Sequence, residues 1–367
     1  MAVSTTDILV LTRYGRLGAS SRQRFLLFEG ALADSGFAPE VRPFFSDGYL
    51  ADLYAGRAMR WLEIARCYAR RVAVLLRRPP GEIMWLEKEA LPWLPAWLDR
   101  LLLGGCTLVI DFDDGWHLRY QGHDAPWHAR IMARKLERLA RSADTVIVAN
   151  QALMSWARNV GCARVELIPT TVDTSLYPLR EEPDGPFTIG WIGTPRNATY
   201  LQLVLEPLQR LSQEGARLKV IGGNPATALP GVALEVVPWS EATEACALAA
   251  CHVGIMPLAG SEWDQHKSGY KIIQYMAAGR AAVASPIGAN LDILSEGETG
   301  LFAHGPDEWY ATLARLRDDS EMRKRMGAAG RRRCEARFSR DVAAKQVAQV
   351  FEWARERATP HRCGGSA

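Results

Sequence analysis

The chain has 367 residues, of which 48% are hydrophobic and 23% are charged, and its formal net charge is +3. This length exceeds one ordinary hydrophobic core and indicates two domains of roughly 150–200 residues. The composition is that of a folded globular protein, and the small net charge does not indicate a nucleic-acid binder. No apolar run reaches the ~18 residues of a membrane span, and no basic stretch precedes the first apolar run as in a signal peptide.

The seven cysteines are scattered and have no C-x-x-C spacing. Their odd number and spacing predict neither a disulfide framework nor a zinc site. We therefore expect a cytoplasmic protein.

The first part of the chain predicts a parallel sheet with helices between its strands. An apolar run at 7–12 leads into a loop with two glycines at 13–22 and then into a helical pattern at 22–35. Strand, glycine-containing loop and helix in this order are typical of a doubly wound α/β domain. The remaining predicted strands are 82–85, 107–111 and 145–149, and the clearest helices are 56–78 and 126–142.

A second series of the same kind begins after a break rich in Pro, Asp, Glu and Gly at 177–186. Its predicted strands are 187–192, 217–221, 234–237, 253–256 and 281–284. Its predicted helices are 200–213, 243–250, 269–278 and 307–318, followed by a tail that is helical throughout 319–357. The predicted domains are 1–178, 179–345 and a terminal helix and tail at 346–367. Since parallel sheets bind ligands at the carboxyl ends of their strands, we expect the ligand in a cleft between the two domains.

The segment Gly269–Gly300 carries the most specific pattern, GYKIIQYMAAGRAAVASPIGANLDILSEGETG. It resembles the nucleotide-sugar signature of the retaining glycosyltransferases of family 4, in which a Lys-x-x-Glu-x-Met-Ala-x-Gly helix precedes a strand and a glycine turn. Three more segments resemble the family in the expected order: Gly15–Arg22, Ile168–Asp173 (IPTTVD) and Ile189–Pro195 (IGWIGTP). The resemblance covers most of the chain and is closest over 165–305.

The resemblance implies a fold and an activity. The fold is GT-B, an α/β architecture in which two Rossmann-like, doubly wound parallel-sheet domains face each other across a cleft and a C-terminal helix packs back toward the first domain. The activity is transfer of a sugar from a nucleotide-diphosphate sugar to an acceptor hydroxyl, on a saccharide or lipid-linked saccharide, as in polysaccharide biosynthesis. Retention of configuration is implied, with the departing phosphate able to deprotonate the acceptor, and no metal or other cofactor is required.

Two departures from the family pattern concern the donor site. The family's Glu-x7-Glu pair is replaced by His266 and Gln274. In the family's Gly-Arg-x4-Lys motif, Gly193 is followed by Thr194 here, and we expect Arg196 to compensate.

Departure of a diphosphate requires cations and bare backbone amides, which a helix N-terminus supplies. We expect Lys271, Lys267 and Arg196 to contact the phosphates. Gln274 lies one turn beyond Lys271 on the same helical face, and its amide suits ribose hydroxyls. His266 is expected near the donor sugar as a catalytic-site residue. For each residue, an ordinary solvated surface position is the alternative.

The other donor-site candidates follow predicted strands of the second domain. Gly193 and Thr194 follow the strand at 187–192, and Ser285 and Gly288 follow the strand at 281–284. Asp292 matches the family's acidic residue after the glycine, with a helix cap as the alternative.

In the first domain, Gly18 permits close backbone approach and Arg22 begins a helix. We expect Arg22 to contact phosphate or acceptor, with packing of its stem as the alternative. Asp113, Asp114 and His117 follow the strand at 107–111 and are expected to bind the acceptor or assist its hydroxyl. A role in loop structure, or an Asp-x-Asp metal site, stays open.

The helix predicted at 56–78 holds seven arginines against one glutamate, Glu63. Its predicted apolar stripe comprises Met59, Leu62, Ala65, Tyr68, Val72 and Leu75 or Leu76. Its arginines are Arg57, Arg60, Arg66, Arg70, Arg71, Arg77 and Arg78. A basic amphipathic helix can bind the anionic inner face of the cytoplasmic membrane, each basic group contributing about 1 kcal/mol. The alternative is a surface helix whose apolar stripe belongs to the core.

Two other functions fit the same fold. A sugar-nucleotide epimerase would need acid and base carboxylates near the donor sugar, which His266 and Gln274 do not supply. A non-catalytic nucleotide-sugar-binding protein would tolerate the lost Glu pair. A Rossmann dehydrogenase is disfavoured because no G-x-G-x-x-G follows the first strand.

Overall fold

The structure, a computed structural model, describes residues 5–57, 61–79, 81–120, 132, 134–223 and 229–358. The chain divides into two compact units. Unit 1 comprises Met1–Thr170 and Ala343–Ala367, and unit 2 comprises Thr171–Val342. These boundaries fall a few residues before the predicted ones at 178 and 345.

Unit 1 contains a parallel sheet. Its described strands are β1 Thr6–Leu11, β2 Phe37–Val41, β3 Ile83–Glu87, β4 Thr107–Phe112, β5 Thr145–Val148 and β6 Val165–Leu167. They pair in the order β2-β1-β3-β4-β5-β6. The described α-helices are α1 Ala19–Arg24, α2 Glu29–Asp34, α3 Asp47–Tyr54, α4 Trp61–Arg77, α5 Ala96–Leu103, α6 Lys135–Ser142 and α7 Gln151–Val160. Short 3-10 helices are Leu26–Phe28 and Trp116–Tyr120.

Both faces of this sheet are covered, because alternate side chains of a strand point to opposite faces. Leu9 of β1 packs in one core cluster, and Ile8 packs in another. The second cluster includes Phe351 from the last helix of the chain, whose ring centroid lies 5.1 Å from that of Trp85. The prediction that the C-terminal helix packs on the first domain is therefore confirmed.

Unit 2 repeats the arrangement. Its described strands are β7 Thr188–Ile192, β8 Arg217–Ile221, β9 Leu234–Val237, β10 Val253–Met256, β11 Ala281–Ala284 and β12 Gly300–Phe302, in the order β12-β11-β10-β7-β8-β9. The described helices are α8 Leu205–Gln213, α9 Glu244–Ala249, α10 Glu262–Gln265, α11 Tyr270–Ala277, α12 Asn290–Ile293, α13 Gly305–Asp318 and α14 Ser320–Arg337. The last described helix, α15 Arg340–Ala358, begins in unit 2, and from Ala343 onward it belongs to unit 1. Short 3-10 helices are Thr174–Leu176 and Pro195–Val204.

The strand orders locate a switch point in each sheet, where successive strands turn to opposite sides. In unit 1 it lies between β1 and β3, and in unit 2 between β7 and β10. The loops after two such strands diverge and leave a crevice at the carboxyl edge, which is where doubly wound sheets bind ligands. The loops after these four strands are therefore the first places to look for a site.

Several predicted helices have different bounds in the structure. The helix predicted at 22–35 is three short pieces that begin at Ala19. The tail is two helices rather than one, because Val172 pairs with Ser339 as an isolated bridge and interrupts the helical hydrogen bonds. Residues 58–60 of the predicted basic helix, and 126–131 and 133 of the next, lie outside the described residues.

Candidate functional site

The first loop at the switch point of unit 2 follows β7 and begins at Gly193. Its backbone N–H donates to the carbonyl oxygen of Ile221 at 3.0 Å. A Cβ at this position would lie 2.6 Å from Cη2 of Trp191 and 3.2 Å from Cε of Lys271. There is thus no room for a side chain, and bare backbone lies directly beside the Lys271 side chain.

Helix α11 and the segment just before it bring two lysines to the same loops. Lys271 is half-buried in the first turn, with its ammonium nitrogen 5.5 Å from the ring centroid of Trp191. The ammonium nitrogen of Lys267 lies 4.9 Å from the ring centroid of Tyr200, which belongs to the segment after β7. The first turn of α11 holds no acidic residue. Two cations and the positive end of a helix therefore lie at these loops, which is suited to an anion.

The loop after β10 is held by a residue that the sequence analysis did not select, Asp264. Its buried carboxylate accepts hydrogen bonds from the backbone N–H groups of Ala259 and Ser261, both at 3.2 Å, and from the Tyr200 hydroxyl. With Ser261 it forms a capping box on α10, a pattern that the sequence Ser-x-x-Asp could have revealed. The half-buried ring of His266 follows, with Nδ1 2.8 Å from the Glu262 carbonyl oxygen.

The loop after β11 closes onto the loop after β10. The Ser285 hydroxyl accepts the backbone N–H of Leu258 at 3.0 Å. Gly288 has φ +54°, and a Cβ there would lie 2.5 Å from the Gln265 carbonyl oxygen. Glycine is required by both the left-handed backbone and the close approach.

Gln274 lies inside unit 2, with 3% of its surface exposed. Its Nε2 donates to the Tyr177 hydroxyl at 3.2 Å, and that hydroxyl donates to Oε1 of Glu244 at 2.8 Å. The Trp239 indole N–H donates to the other oxygen of Glu244 at 2.6 Å. Burial and the Glu244 charge raise the pKa of Tyr177 well above its usual value, so the hydroxyl keeps its proton. The predicted ribose ligand is thus one member of a buried hydrogen-bond chain.

Three other predicted donor residues lie at element ends. Thr194 precedes the 3-10 helix at 195–204, and its carbonyl oxygen accepts the N–H of Asn197 at 2.9 Å. The side chains of Arg196 and Asp292 are exposed. The Asp292 carbonyl oxygen accepts a hydrogen bond from Arg333 at 2.9 Å.

At the switch point of unit 1, Lys88 follows β3 with φ +65° and is buried. Its ammonium nitrogen lies 2.7 Å from Oδ1 of Asp113 and 3.3 Å from Oε1 of Glu87. Burial alone disfavours the charged form, but the two carboxylates raise the pKa of Lys88 above its ordinary value. Burial likewise disfavours the Asp113 carboxylate, yet Lys88 lowers the pKa of Asp113 overall. Asp113 is therefore an ionised, paired carboxylate and not a proton acceptor near neutral pH.

The other predicted residues of unit 1 are packed nearby. His117 is buried and stacks on Trp156, with ring centroids 4.4 Å apart, and Asp114 is half-buried. Arg22 is buried, and its Nη1 donates to the Arg16 carbonyl oxygen at 2.9 Å. A Cβ at Gly18, the N-cap residue of α1, would lie 2.5 Å from Tyr14 Cβ, which explains the glycine by close packing of its loop.

A cluster of cations and aromatic rings adjoins Lys88 and was not found from the sequence. Arg13 follows β1 and pairs with Glu89 at 3.0 Å. The Arg13 guanidinium carbon lies 4.5 Å from the ring centroid of Trp116 and 5.3 Å from that of Trp93. Trp93 has φ +58° and is partly exposed. Lys88 and Trp93 are two of the three non-glycine residues with positive φ among those described. Strained backbone of this kind concentrates at functional sites.

Among the described residues, no three His, Cys, Asp or Glu side chains lie close enough together to bind a metal ion. The Asp-x-Asp pair of the sequence is divided between two cations. Asp113 pairs with Lys88, and Asp111 accepts hydrogen bonds from Arg24 at 2.9 and 3.0 Å.

Helix α4 presents two different surfaces. Its buried face is formed by Ile64, Cys67, Arg71 and Leu75. The exposed fractions of Trp61, Leu62 and Leu76 are 78%, 76% and 69%. Arg66, Arg70 and Arg77 are also exposed. The predicted apolar stripe was wrong at Leu62, which is exposed, and Arg71 lies on the buried face instead. Met59 and Arg60 lie outside the described residues. No described helix is long and apolar enough to cross a bilayer.

Comparison with known proteins bears on both units. Residues 186–319, which hold all the loops described for unit 2, match the family model described as glycosyl transferases group 1. Sucrose-phosphate synthase from Thermosynechococcus elongatus has a similar structure, with a TM-score of 0.69 at 16% identity over 95% of this chain and 98% of that chain. The fold is that of GT-B glycosyltransferases.

Two further solved structures are similar over nearly the whole chain. HepE from Anabaena in complex with UDP-glucose has a TM-score of 0.66 at 13% identity, over 94% of this chain and 99% of that chain. A glycosyltransferase from Rickettsia africae has a TM-score of 0.65 at 12% identity, over 95% and 98%. No curated protein matches by sequence. The predicted α/β fold of two Rossmann-like parallel-sheet domains is confirmed, and the family match supports a glycosyltransferase.

Proposed function

We propose that the protein moves a sugar from a nucleotide-diphosphate sugar to an acceptor hydroxyl, and that unit 2 binds the donor. The observation that carries this proposal is the Lys271 side chain beside the bare backbone of Gly193, at the switch point of unit 2. Both residues lie in the segment that matches glycosyl transferases group 1. HepE, which is similar in fold, binds UDP and UDP-glucose in its crystal structures.

The diphosphate is proposed to contact the N-terminus of α11, Lys271, Lys267 and Arg196. Cations and a helix N-terminus stabilise the negative charge that grows as the diphosphate departs. Gly193 and Gly288 let their loops pack closely, since a Cβ at either position would collide with Trp191 or with the Gln265 carbonyl oxygen. One N–H of the Gln274 amide donates to Tyr177, so its second N–H and its amide oxygen remain for a ribose hydroxyl.

His266, Thr194, Ser285 and Asp292 complete the proposed donor site. His266 is assigned to a hydroxyl of the donor sugar, for which a neutral imidazole is suited. Thr194 is assigned to the diphosphate, and Ser285 holds the loop after β11 in place through Leu258. The exposed carboxylate of Asp292 is assigned to the rim of this site.

Unit 1 is proposed to bind a saccharide or lipid-linked saccharide acceptor beside Lys88. The partly exposed Trp93 and half-buried Trp116 offer apolar ring faces, and Asp113, Asp114 and His117 lie on the loop after β4. Arg22 and Gly18 shape the loop after β1 and are proposed to border the acceptor.

Transfer is proposed to proceed with retention and without a metal. Because Asp113 is ionised and paired with Lys88, it positions the acceptor rather than taking its proton. The departing phosphate oxygen then accepts the proton of the attacking hydroxyl as the new glycosidic bond forms. The cations around Lys271 stabilise the charge of the departing diphosphate, for which other transferases use a divalent ion.

Helix α4 is proposed to bind the anionic inner face of the cytoplasmic membrane, which would bring the protein to lipid-linked acceptors. Exposed Trp61, Leu62 and Leu76 provide the apolar contact, and Arg66, Arg70 and Arg77 provide the charge. Sedimentation with phosphatidylglycerol vesicles, and its loss on raising salt, tests this. Leu62→Ser should weaken sedimentation, while Leu291→Ser, at a leucine of unit 2 that is 54% exposed, should not. Equal sedimentation of both variants would contradict the proposal.

The activity is tested with a panel of nucleotide-diphosphate sugars, measuring release of nucleoside diphosphate with and without saccharide acceptors. We expect release that depends on both donor and acceptor, without added metal and in the presence of a chelator. Recovery of an epimerised sugar nucleotide would instead identify an epimerase. Tight binding without turnover for every acceptor would identify a non-catalytic binding protein.

A further inference from the structure

A second basic site lies at the edge strand of unit 1. A cavity of about 580 Å³ opens between the edge strand β2 and the C-terminal half of α4. Its volume lies within the range of ~300–1,000 Å³ that is usual for small-ligand sites. The charged residues that line it are Glu40, Arg42, Arg70, Arg71, Arg77, Arg78 and Glu82. Five arginines face two glutamates, so the lining carries an excess of positive charge.

Arg71 shows that the wall of this cavity has unused hydrogen-bonding capacity. Its side chain is 97% buried, since only 3% is exposed. Its Nη2 donates to the carbonyl oxygens of Thr12 at 2.8 Å and Arg42 at 3.0 Å. Its Nη1 is buried with no hydrogen-bond partner among the residues that the structure describes. A buried donor left unsatisfied is costly, so this atom calls for an acceptor.

Arg78 repeats the feature at the other end of the cavity. Its Nη2 donates to the carbonyl oxygens of Leu102 and Gly104, while its Nε is buried with no partner in the described chain. The two acids of the lining neutralise only part of the charge. Glu40 pairs with Arg42. The carboxyl of Glu82 is partly buried, and this burial raises the pKa of Glu82 more than the nearby Arg78 lowers it. The other arginines, Arg70 and Arg77, are exposed at the mouth.

We propose that this cavity binds a phosphate ester or pyrophosphate group. Guanidinium groups present planar pairs of N–H donors that match phosphate oxygens, and several of them around one cavity favour a multiply charged anion over a carboxylate. The exposed apolar residues Trp61, Leu62 and Leu76 lie on the same helix as Arg70 and Arg77, so a lipid phosphate is one source of the group. A soluble phosphate ester is the other source.

Calorimetric titration of the full chain with glycerol phosphate tests the site. The titration is repeated in the Lys271→Met variant, in which the proposed donor site is weakened, and ionic strength is held constant. In both chains we expect one site, with a Kd at least tenfold weaker when the Arg70→Gln/Arg77→Gln double substitution is present. Arg66→Gln is the matched control, since Arg66 is an exposed arginine of the same helix that does not line the cavity, and its Kd should stay within about twofold.

Two outcomes would overturn the proposal: no binding of glycerol phosphate that persists in Lys271→Met, or equal Kd values in the double variant and the Arg66 control. Lys271→Met should leave this binding unchanged, so failure of the donor-site proposal is measured separately. Vesicles containing phosphatidic acid distinguish the sources of the phosphate. Competition by these vesicles, but not by phosphatidylglycerol vesicles of equal charge, supports a lipid phosphomonoester, while binding of glycerol phosphate without such competition supports a soluble ester.

Discussion

Replacement of Lys271 by methionine removes one charge from the proposed donor site with little other change. Methionine keeps an unbranched apolar stem of similar reach beside Gly193 and Trp191 but has no ammonium group. A hydrogen bond from a charged donor contributes about 1.5–3 kcal/mol when its partner is bound. At 1.4 kcal/mol for each factor of ten, Lys271→Met should weaken nucleoside diphosphate binding roughly 10- to 150-fold.

The same substitution should hardly affect folding. Lys271 is half-buried, and its ammonium nitrogen lies 5.5 Å from the ring centroid of Trp191. A cation–π contact at such a site contributes about 0.5–1 kcal/mol, part of which methionine retains as packing. A loss of binding would therefore not be a by-product of unfolding.

Calorimetric titration with UDP, GDP and ADP, together with thermal unfolding, measures both effects. The control is Lys324→Met, which removes an exposed lysine of α14 that pairs with Glu321 at 3.1 Å. The control should bind like the unchanged protein. If Lys271→Met were folded and bound every diphosphate within about twofold of the unchanged protein, the donor site would not include the N-terminus of α11.

Three further predictions concern buried polar groups. Gln274→Glu should lower the free energy of unfolding by about 1–3 kcal/mol in a urea titration. Glu244→Gln in the same chain should recover part of this loss. An unchanged free energy of unfolding in Gln274→Glu would contradict the proposed hydrogen-bond direction. His252 accepts a backbone N–H at Nδ1, and burial lowers its pKa below 6.5. Near this pH the unfolded chain then binds more protons than the folded chain, so the free energy of unfolding should fall as pH drops through 6.5. The fall should be smaller in His252→Asn. Equal pH profiles of melting temperature for this variant and the unchanged protein would refute the prediction. Lys88→Met should lower the free energy of unfolding by about 3–5 kcal/mol, because it leaves buried carboxylates unpaired. Asp113→Asn in the same chain should restore part of this stability. Additive losses from the two substitutions would argue against the pair.

Five of the six described strands of unit 2 could be read from the sequence almost to the residue. Runs such as 253–256 and 281–284 hold no polar side chain, because parallel strands covered on both faces need no alternation. The strand β2, Phe37–Val41, was missed because it lies at an edge and contains Pro39 and Glu40, which a central strand would exclude. The strand β12 was missed because it has only three residues and begins with glycine.

Some residues of the candidate site could likewise be found from the sequence, and others could not. Gly193, Lys271 and Gly288 each lie in a short segment that resembles the family pattern, and the carboxyl-end loops could be inferred from the ends of the predicted strands. The pair of Arg13 and Glu89 could not be found, because 76 residues separate its members and only the fold brings them together. Lys88 carries a further obstacle, since a positive φ at lysine has no signal in the sequence.

Gln274 shows why one departure from the family pattern is consistent with this fold. The Tyr177 hydroxyl has one proton, and it donates that proton to Glu244 at 2.8 Å. Its oxygen can then only accept, and the Gln274 amide nitrogen supplies the donor at 3.2 Å. A glutamate at 274 would place a second acceptor against the same oxygen in a site that is 3% exposed, and a second negative charge near Glu244. The glutamine is therefore required by Tyr177 and Glu244 irrespective of any ligand, and its presence is not by itself a sign that donor binding was lost.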